Sequence, residues 1–354
     1  MFANKLKILR TMDGLSMQDL ADKSGLSKQA ISKYENGELT PSSDAVIKLA
    51  KALNVPQDYF YNPDSSAAPK ITLASVALRE KEKVLVDEFE LIKKDTVDYL
   101  VRHLELETLS ATSPEFINPI EDIEIRSFKD VEKAAKVLRK KWKLGTVPIA
   151  SVVDLLESKG IRIYEVFRSD KFEGAAAWAG KVPVIIINST IKEMTRIRFT
   201  ALHELGHILL KFFGEPSVDH IERFCDSFSG ELLFPREAVV VEFGNTRTKV
   251  SVQEFKSIKE KYGISVMAII ITASKAGVID QKTYNLWKTY YKQWYANNED
   301  FGTYPVKEQA KAFYKMLYNC LIEDKISLGK AAMLSRTKES ILKRQMQPFG
   351  QYIN

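Results

Sequence analysis

Cysteine is almost missing from this chain of 354 residues: there are two, Cys225 and Cys320, far apart. Such a pair makes no disulfide framework and points to a reducing interior. Long apolar runs are missing as well. The strongest, VMAIIITA, is far too short to span a bilayer, which excludes a membrane-spanning helix. The opening stretch, MFANKLKILR, lacks the apolar core of a signal peptide, so a cytoplasmic location is expected. Histidine is scarce, four in all, so two of them at a helical spacing carry information. The rest is ordinary, with 45% hydrophobic and 28% charged residues, and the length leaves room for two or three domains.

The net charge of +6 is mild but unevenly placed. Residues 282–354 carry 12 Lys/Arg against 6 Asp/Glu, whereas residues 1–61 carry 8 against 7. A basic tail suits an acidic partner, and equally a solvated helix surface.

Four helical segments are legible before residue 62. Ser16 is placed to cap MQDLADKS, with Asp19 at the capping-box position, and Gly25 ends that helix. Ser27 then caps KQAISKYE, and a fourth helix follows Pro41. Two short helices joined by a glycine turn fit a helix-turn-helix. Ala21 is small where they would cross, and Leu20, Leu26, Ile31 and Leu49 form the expected core. The outward face carries Ser27, Lys28, Gln29, Ser32 and Lys33, with Asn36 at its end. Such side chains reach base edges and phosphates from the major groove. The stretch LSMQDLADKSGLSKQAISKYENGELTPS resembles the Cro/C1-type (XRE) repressors. The resemblance implies binding to a double-stranded DNA operator, with Gln29 and its neighbours reading bases.

Beyond a linker-like NPDSSAAPK comes a long charged helical stretch. Leu78, Leu85, Phe89, Ile92, Leu100 and Leu104 make its apolar stripe, suited to a partner helix or a second copy of the chain. Three strand-like runs follow later, IRIYEVF, GAAAWAG and VPVIIINST. Directly after them stands TALHELGHILLKF.

Residues four apart on a helix lie one above the other, so His203 and His207 can share one tetrahedral ion. Glu204, offset by one, suits a general base. A third ligand is needed, and Glu222 on the next helix is the leading candidate; His220 and Asp219 are the alternatives. Asp226, one turn beyond Glu222, can accept the free N–H of a ligating histidine. Cys225 is expected to be a small buried side chain rather than a ligand.

RFTALHELGHILL followed by IERFCDSFSGELLFP resembles the ImmA/IrrE family of metallopeptidases. There, His-Glu-x-x-His precedes a segment like Glu-x-x-x-Asn-x-Phe-Ala ending in Leu-Leu-x-Pro. Asp226 here replaces the usual Asn, and Ser229 the usual Ala. The resemblance implies Zn2+ on His203, His207 and Glu222, with Glu204 as base in peptide hydrolysis. Tyr164, His220 and Tyr262 are candidates for stabilising the oxyanion. The strand PVIIINS is expected to align a peptide substrate by edge pairing. The implied substrate is an XRE-type repressor, whose cleavage releases stress or mobile-element genes. The alternative is a transcription factor without proteolytic activity, whose zinc domain is a sensor or scaffold.

The expected fold is mostly α with an α+β core. An all-α helix-turn-helix domain (1–61) precedes a linker (62–74) and a long helix suited to homodimerisation (75–110). A zincin-like metallopeptidase domain with a small sheet (125–280) and a helical C-terminal region (281–354) follow. In that last region LIEDKISLGKAAMLSRTKESI shows a faint second helix-turn-helix pattern, with Ser327 as cap. A regulatory or dimerising segment is the stronger expectation there. The aromatic residues of 284–318 are expected to be helix core.

Overall fold

The computed structural model describes residues 2–12, 15–53, 55, 57–61, 86–110, 116–168, 172–179, 182–297 and 301–346. The expected linker, and the expected long helix up to residue 85, lie outside them. The fold is mostly α with an α+β core, as expected.

The chain opens with α1 (Phe2–Met12), α2 (Met17–Ser24), α3 (Lys28–Glu35) and α4 (Ser43–Ala52). Their ends are fixed by local chemistry. The hydroxyls of Ser16, Ser27 and Ser42 each accept from the backbone N–H three residues on, and Asp19 completes the capping box at Ser16. Gly25 closes α2 in the left-handed region, φ 68°. Leu20, Ile31 and Leu49 are fully buried, together with Leu6 and Ala21. A buried ion pair adds a tie that the sequence did not announce. The guanidinium of Arg10 grips both carboxylate oxygens of Glu35, at 2.5 and 2.8 Å, and binds α1 to the end of α3. A long helix, α5 (Val86–Ser110), follows and buries Ile92, Leu100 and Leu106.

The next stretch forms a second unit. It runs through β1 (Glu124–Ile125), α6 (Phe128–Lys141), α7 (Val152–Ser158), β2 (Arg162–Val166), β3 (Gly174–Ala179), β4 (Val182–Asn188), α8 (Met194–Leu209), β5 (Lys211–Phe212) and α9 (Val218–Leu233). It ends with α10 (Arg236–Phe243), α11 (Val252–Tyr262), α12 (Val266–Lys275) and α13 (Gln281–Asn297). β1 and β5 make a two-residue parallel ribbon that ties the exit of α8 to the start of the unit.

The main sheet has the order β2-β4-β3. β4 runs parallel to β2, with Ile163 opposite Ile185, and antiparallel to β3, with Ala176 opposite Ile185. The expectation that residues 184–187 offer a free edge to a peptide is therefore overturned. β4 is the central strand, and its backbone groups are already paired on both sides. Its unbroken apolar run reflects burial on both faces.

The aromatic residues of α13 are core only in part: Tyr291 is buried, Trp287 meets Phe255 edge-on at 4.9 Å and Trp294 meets Phe301 at 4.8 Å, whereas Tyr290 and Tyr295 are exposed, against expectation. After residue 310 the chain rejoins the first unit. α14 (Ala312–Ile322), α15 (Leu328–Ser335) and α16 (Glu339–Met346) group with α1–α5, while α13 stays with the second unit. Phe313 packs against Tyr99 and His103 of α5, at 5.8 Å from each ring. Among the described residues of α5, Ile92, Leu100 and Leu106 are thus covered within their own chain. No helix among the described residues is long and apolar enough to cross a membrane.

Candidate metal centre and nucleic-acid interface

α8 is buried on almost every side, twelve of its sixteen residues in all, because it lies between the sheet and α9. Two close approaches set its position. A Cβ on Gly206 would stand 3.0 Å from Sγ and 3.2 Å from Cα of Cys225, so glycine is what lets α9 come this near. Cys225 is fully buried there, as a small packing side chain. On the other side, a Cβ on Gly174 would meet Thr200 Cγ2 at 2.6 Å and Glu204 Cγ at 3.5 Å, so the start of β3 lies directly against Glu204.

The crossing of α8 and α9 brings the expected ligands together. His203 Nε2 and His207 Nε2 are 3.1 Å apart. Glu222 places one carboxylate oxygen 3.2 Å from His203 Nε2 and the other 3.2 Å from His207 Nε2. Two ligands on a tetrahedral zinc ion, with bonds of about 2.0–2.1 Å, stand about 3.3 Å apart. The imidazole nitrogens at 3.1 Å, with a carboxylate oxygen 3.2 Å from each, fit such an ion. Among the described residues this is the one His/Cys/Asp/Glu trio close enough to share a metal.

Electrostatics agree with the geometry. Burial opposes ionisation of Glu222, but hydrogen bonds and charge from His203 and His207 outweigh it and hold the carboxyl well below its ordinary range. Behind the trio, Asp226 Oδ1 lies 2.8 Å from His203 Nδ1. Asp226 accepts from Nδ1 and so leaves Nε2, on the side of Glu222 and His207, as the ring nitrogen that would bind an ion. Glu204 is itself buried, 3% exposed, on the α8 turn between the two histidines.

The alternative ligands stand elsewhere. Asp219 is exposed, and His220 is an exposed side chain whose Nδ1 is 2.8 Å from Ser217 Oγ. Neither belongs to the trio. Of the oxyanion candidates, Tyr262 is buried and its hydroxyl donates to Glu242 at 3.0 Å, while Tyr164 sits half-buried in β2.

Two further residues escaped sequence reasoning. Arg198, one turn before His203, is fully buried and forms an ion pair at 2.5 Å with the equally buried Glu308. It also donates to the carbonyls of Gly263 and Ile149, at 3.0 and 2.7 Å. Glu308 in turn accepts from Ser151 Oγ and from the N–H groups of Val152 and Val153 at the start of α7, at 2.9, 3.0 and 2.9 Å. A segment distant in sequence thereby anchors α8 to α7. Nothing local in the sequence marks Glu308 for that role.

In the first unit α3 presents Ser27, Lys28, Gln29, Lys33 and Asn36 to solvent, with Ser32 half-buried. Ser27 Oγ serves the helix cap at the same time, accepting from Ala30 N at 3.1 Å.

Comparison with known proteins agrees with both halves. A helix-turn-helix family model matches residues 6–60, and the IrrE N-terminal-like domain model, of a metallopeptidase-type family, matches residues 156–274. The HTH-type transcriptional regulator SutR of Escherichia coli is 38% identical over 66 residues, 19% of this chain and 37% of the relative. An HTH-type transcriptional regulatory protein of Pyrococcus furiosus is 23% identical over 181 residues, 51% of each chain. An HTH-type regulator of Methanocaldococcus jannaschii is 40% identical over 62 residues, 17% of this chain and 94% of the relative. The chain spans about half or less of the length of the first two. The chain belongs to the helix-turn-helix transcriptional regulators, as a fusion of an XRE-type module to an ImmA/IrrE-type domain.

Proposed function

We propose that this cytoplasmic regulator is a zinc-dependent endopeptidase that its helix-turn-helix domain brings to an operator. The observation that carries the reading is the pair of imidazole nitrogens 3.1 Å apart, each with a different Glu222 oxygen at 3.2 Å, and Glu204 on the intervening turn of the same helix. His203, His207 and Glu222 would hold a zinc ion, which when bound would supply a Lewis acid toward water and a carbonyl. The chain's own groups do the rest. Asp226 Oδ1 holds the proton on His203 Nδ1 and so fixes the tautomer and ring orientation. A carboxylate oxygen of Glu204 takes the proton of the attacking water and returns it to the departing amine. The start of β3 replaces β4 as the stretch that aligns an extended peptide, since it lies against Glu204.

On the DNA side, Lys28, Gln29, Ser32, Lys33 and Asn36 of the α3 region contact the operator, with Ser27 at the helix start. The substrate class is a second XRE-type repressor bound nearby. Tethering to the same DNA raises the effective concentration of protease against repressor.

The test uses the purified chain and its Glu204→Gln variant, each incubated with XRE-type repressors encoded beside its gene. Cleavage by the wild type alone, with equal zinc in both, is the expected result. Equal zinc, no cleavage and retained operator binding would instead identify a transcription factor whose metal domain is a sensor or scaffold.

A further inference from the structure

The last three helices repeat the lengths, caps and turn of the first three, though within each set α1 packs chiefly on α3 and α14 on α15. α1 and α14 each have eleven residues, and α2 and α15 each have eight. From the caps onward the match holds at a constant offset of 311 residues. Ser16 Oγ accepts from Asp19 N at the start of α2, and Ser327 Oγ accepts from Lys330 N at the start of α15. Ser24 Oγ donates to Leu20 O at 2.6 Å, and Ser335 Oγ to Ala331 O at 2.8 Å. Gly25 leaves the helix in the left-handed region at φ 68°, and Arg336 does so at φ 54°. Leu26 N then donates to Ala21 O at 3.1 Å, and Thr337 N to Ala332 O at 3.2 Å. The following helices, α3 and α16, each have eight residues, and each buries one fully enclosed apolar side chain at the same position, Ile31 and Leu342.

Arg336 is the telling residue. A non-glycine side chain in this region is uncommon, so the turn is held by its surroundings. Its guanidinium pairs with Asp98 of α5 at 2.9 Å. Lys330 pairs with Glu105, and Arg102 donates to Leu334 O, so α15 is docked on α5 on one side. The outward face of α16 is left to solvent.

We propose that α14–α16 are a second helix-turn-helix and that α16 binds duplex DNA. In the shared register, Ser27, Lys28, Gln29, Ser32 and Lys33 of the first motif become Lys338, Glu339, Ser340, Lys343 and Arg344, all exposed. Residues 312–346 hold 7 Lys/Arg against 3 Asp/Glu, whereas the first motif is nearly neutral. The charge that phosphate contacts require is therefore supplied by the second motif. Glu339 offers an acceptor for a cytosine amino group. The proposal takes over the reading of α3 as a DNA-facing helix, and the experiment separates the two.

Binding of the full chain to a fluorescein-labelled, random-sequence duplex about four helical turns long is followed by anisotropy over a range of salt concentrations. Lys343→Ala/Arg344→Ala is expected to weaken binding at least about tenfold at low salt. It should also make the slope of log affinity against log salt shallower by about 2. Gln29→Ala/Lys33→Ala keeps a salt-dependent residual affinity, which disappears when the four substitutions are combined. Unchanged affinity and slope in a Lys343/Arg344 variant with wild-type circular dichroism and melting temperature overturn the proposal. So does a change of oligomeric state with DNA affinity intact, or a wild type that does not bind duplex at all. If only the α3 variant loses binding, the reading of α3 stands and this proposal fails; if only the α16 variant does, the reverse holds.

Discussion

His203 is held at both ring nitrogens: Nδ1 lies 2.8 Å from Asp226, and Nε2 lies 3.2 Å from Glu222. That double engagement gives Asp226 a measurable weight. Asp226→Ala frees the ring to rotate and to change tautomer, and should weaken zinc binding about 10–100-fold in a chelator competition. Unaltered affinity would show that the ring is held by packing alone. The contact of Asp226 with His203 was legible in the sequence because Asp226 follows Glu222 by one turn on the same helical face. Glu231 was not, because its property depends on burial. Burial first, then the charge of Glu132, pushes its carboxyl up to about 7 from an ordinary 4.5. The folded chain thus keeps a proton that the unfolded chain has released. The stability tied to that proton is complete below about pH 4.5 and is lost as pH rises through about 7. Glu231→Gln should therefore gain on the wild type between pH 5 and pH 8, by on the order of 2–3 kcal/mol in urea denaturation. A difference independent of pH would contradict this.

Among the elements, the α8–α9 crossing decides whether a metal site exists, and Gly206 decides the crossing. Gly206→Ala places a Cβ 3.0 Å from Cys225 Sγ and 3.2 Å from the Cys225 backbone, so α9 must shift and carry Glu222 with it. The expected cost is about 1–3 kcal/mol of stability, together with weaker zinc binding; unchanged zinc affinity would show that the ligands tolerate the shift. Glu308→Ala strands the buried guanidinium of Arg198 and should cost about 3–5 kcal/mol. Tryptophan fluorescence is a clean readout, because all four tryptophans, Trp142, Trp178, Trp287 and Trp294, lie in the second unit. A loss under about 1 kcal/mol would mean that water or other acceptors compensate. The helix ends near the N-terminus were readable because serine caps and Gly25 act locally. The sheet order was not, because an apolar run such as that of β4 fits a central strand and a buried edge alike, and only its partners decide. The Arg198–Glu308 pair spans 110 residues and leaves no local trace.

Across the whole molecule, both functional halves were legible, since each rests on a compact motif in a short stretch of chain. The assembly of the first unit was not. Phe313 and Arg336 join it by contacts with α5 more than 200 positions earlier, and the apolar stripe of α5 reads the same whether its cover is a second chain or its own C-terminus. The metal site is the hinge of the account: without an ion there, neither the peptidase nor the sensor reading survives. The direct test is the zinc content of the purified wild type, Glu222→Ala and Glu204→Gln, measured by atomic emission after dialysis. One zinc per chain is expected in the wild type and in Glu204→Gln, and almost none in Glu222→Ala. A wild type without zinc, or a Glu222→Ala variant that keeps its full complement, would contradict it.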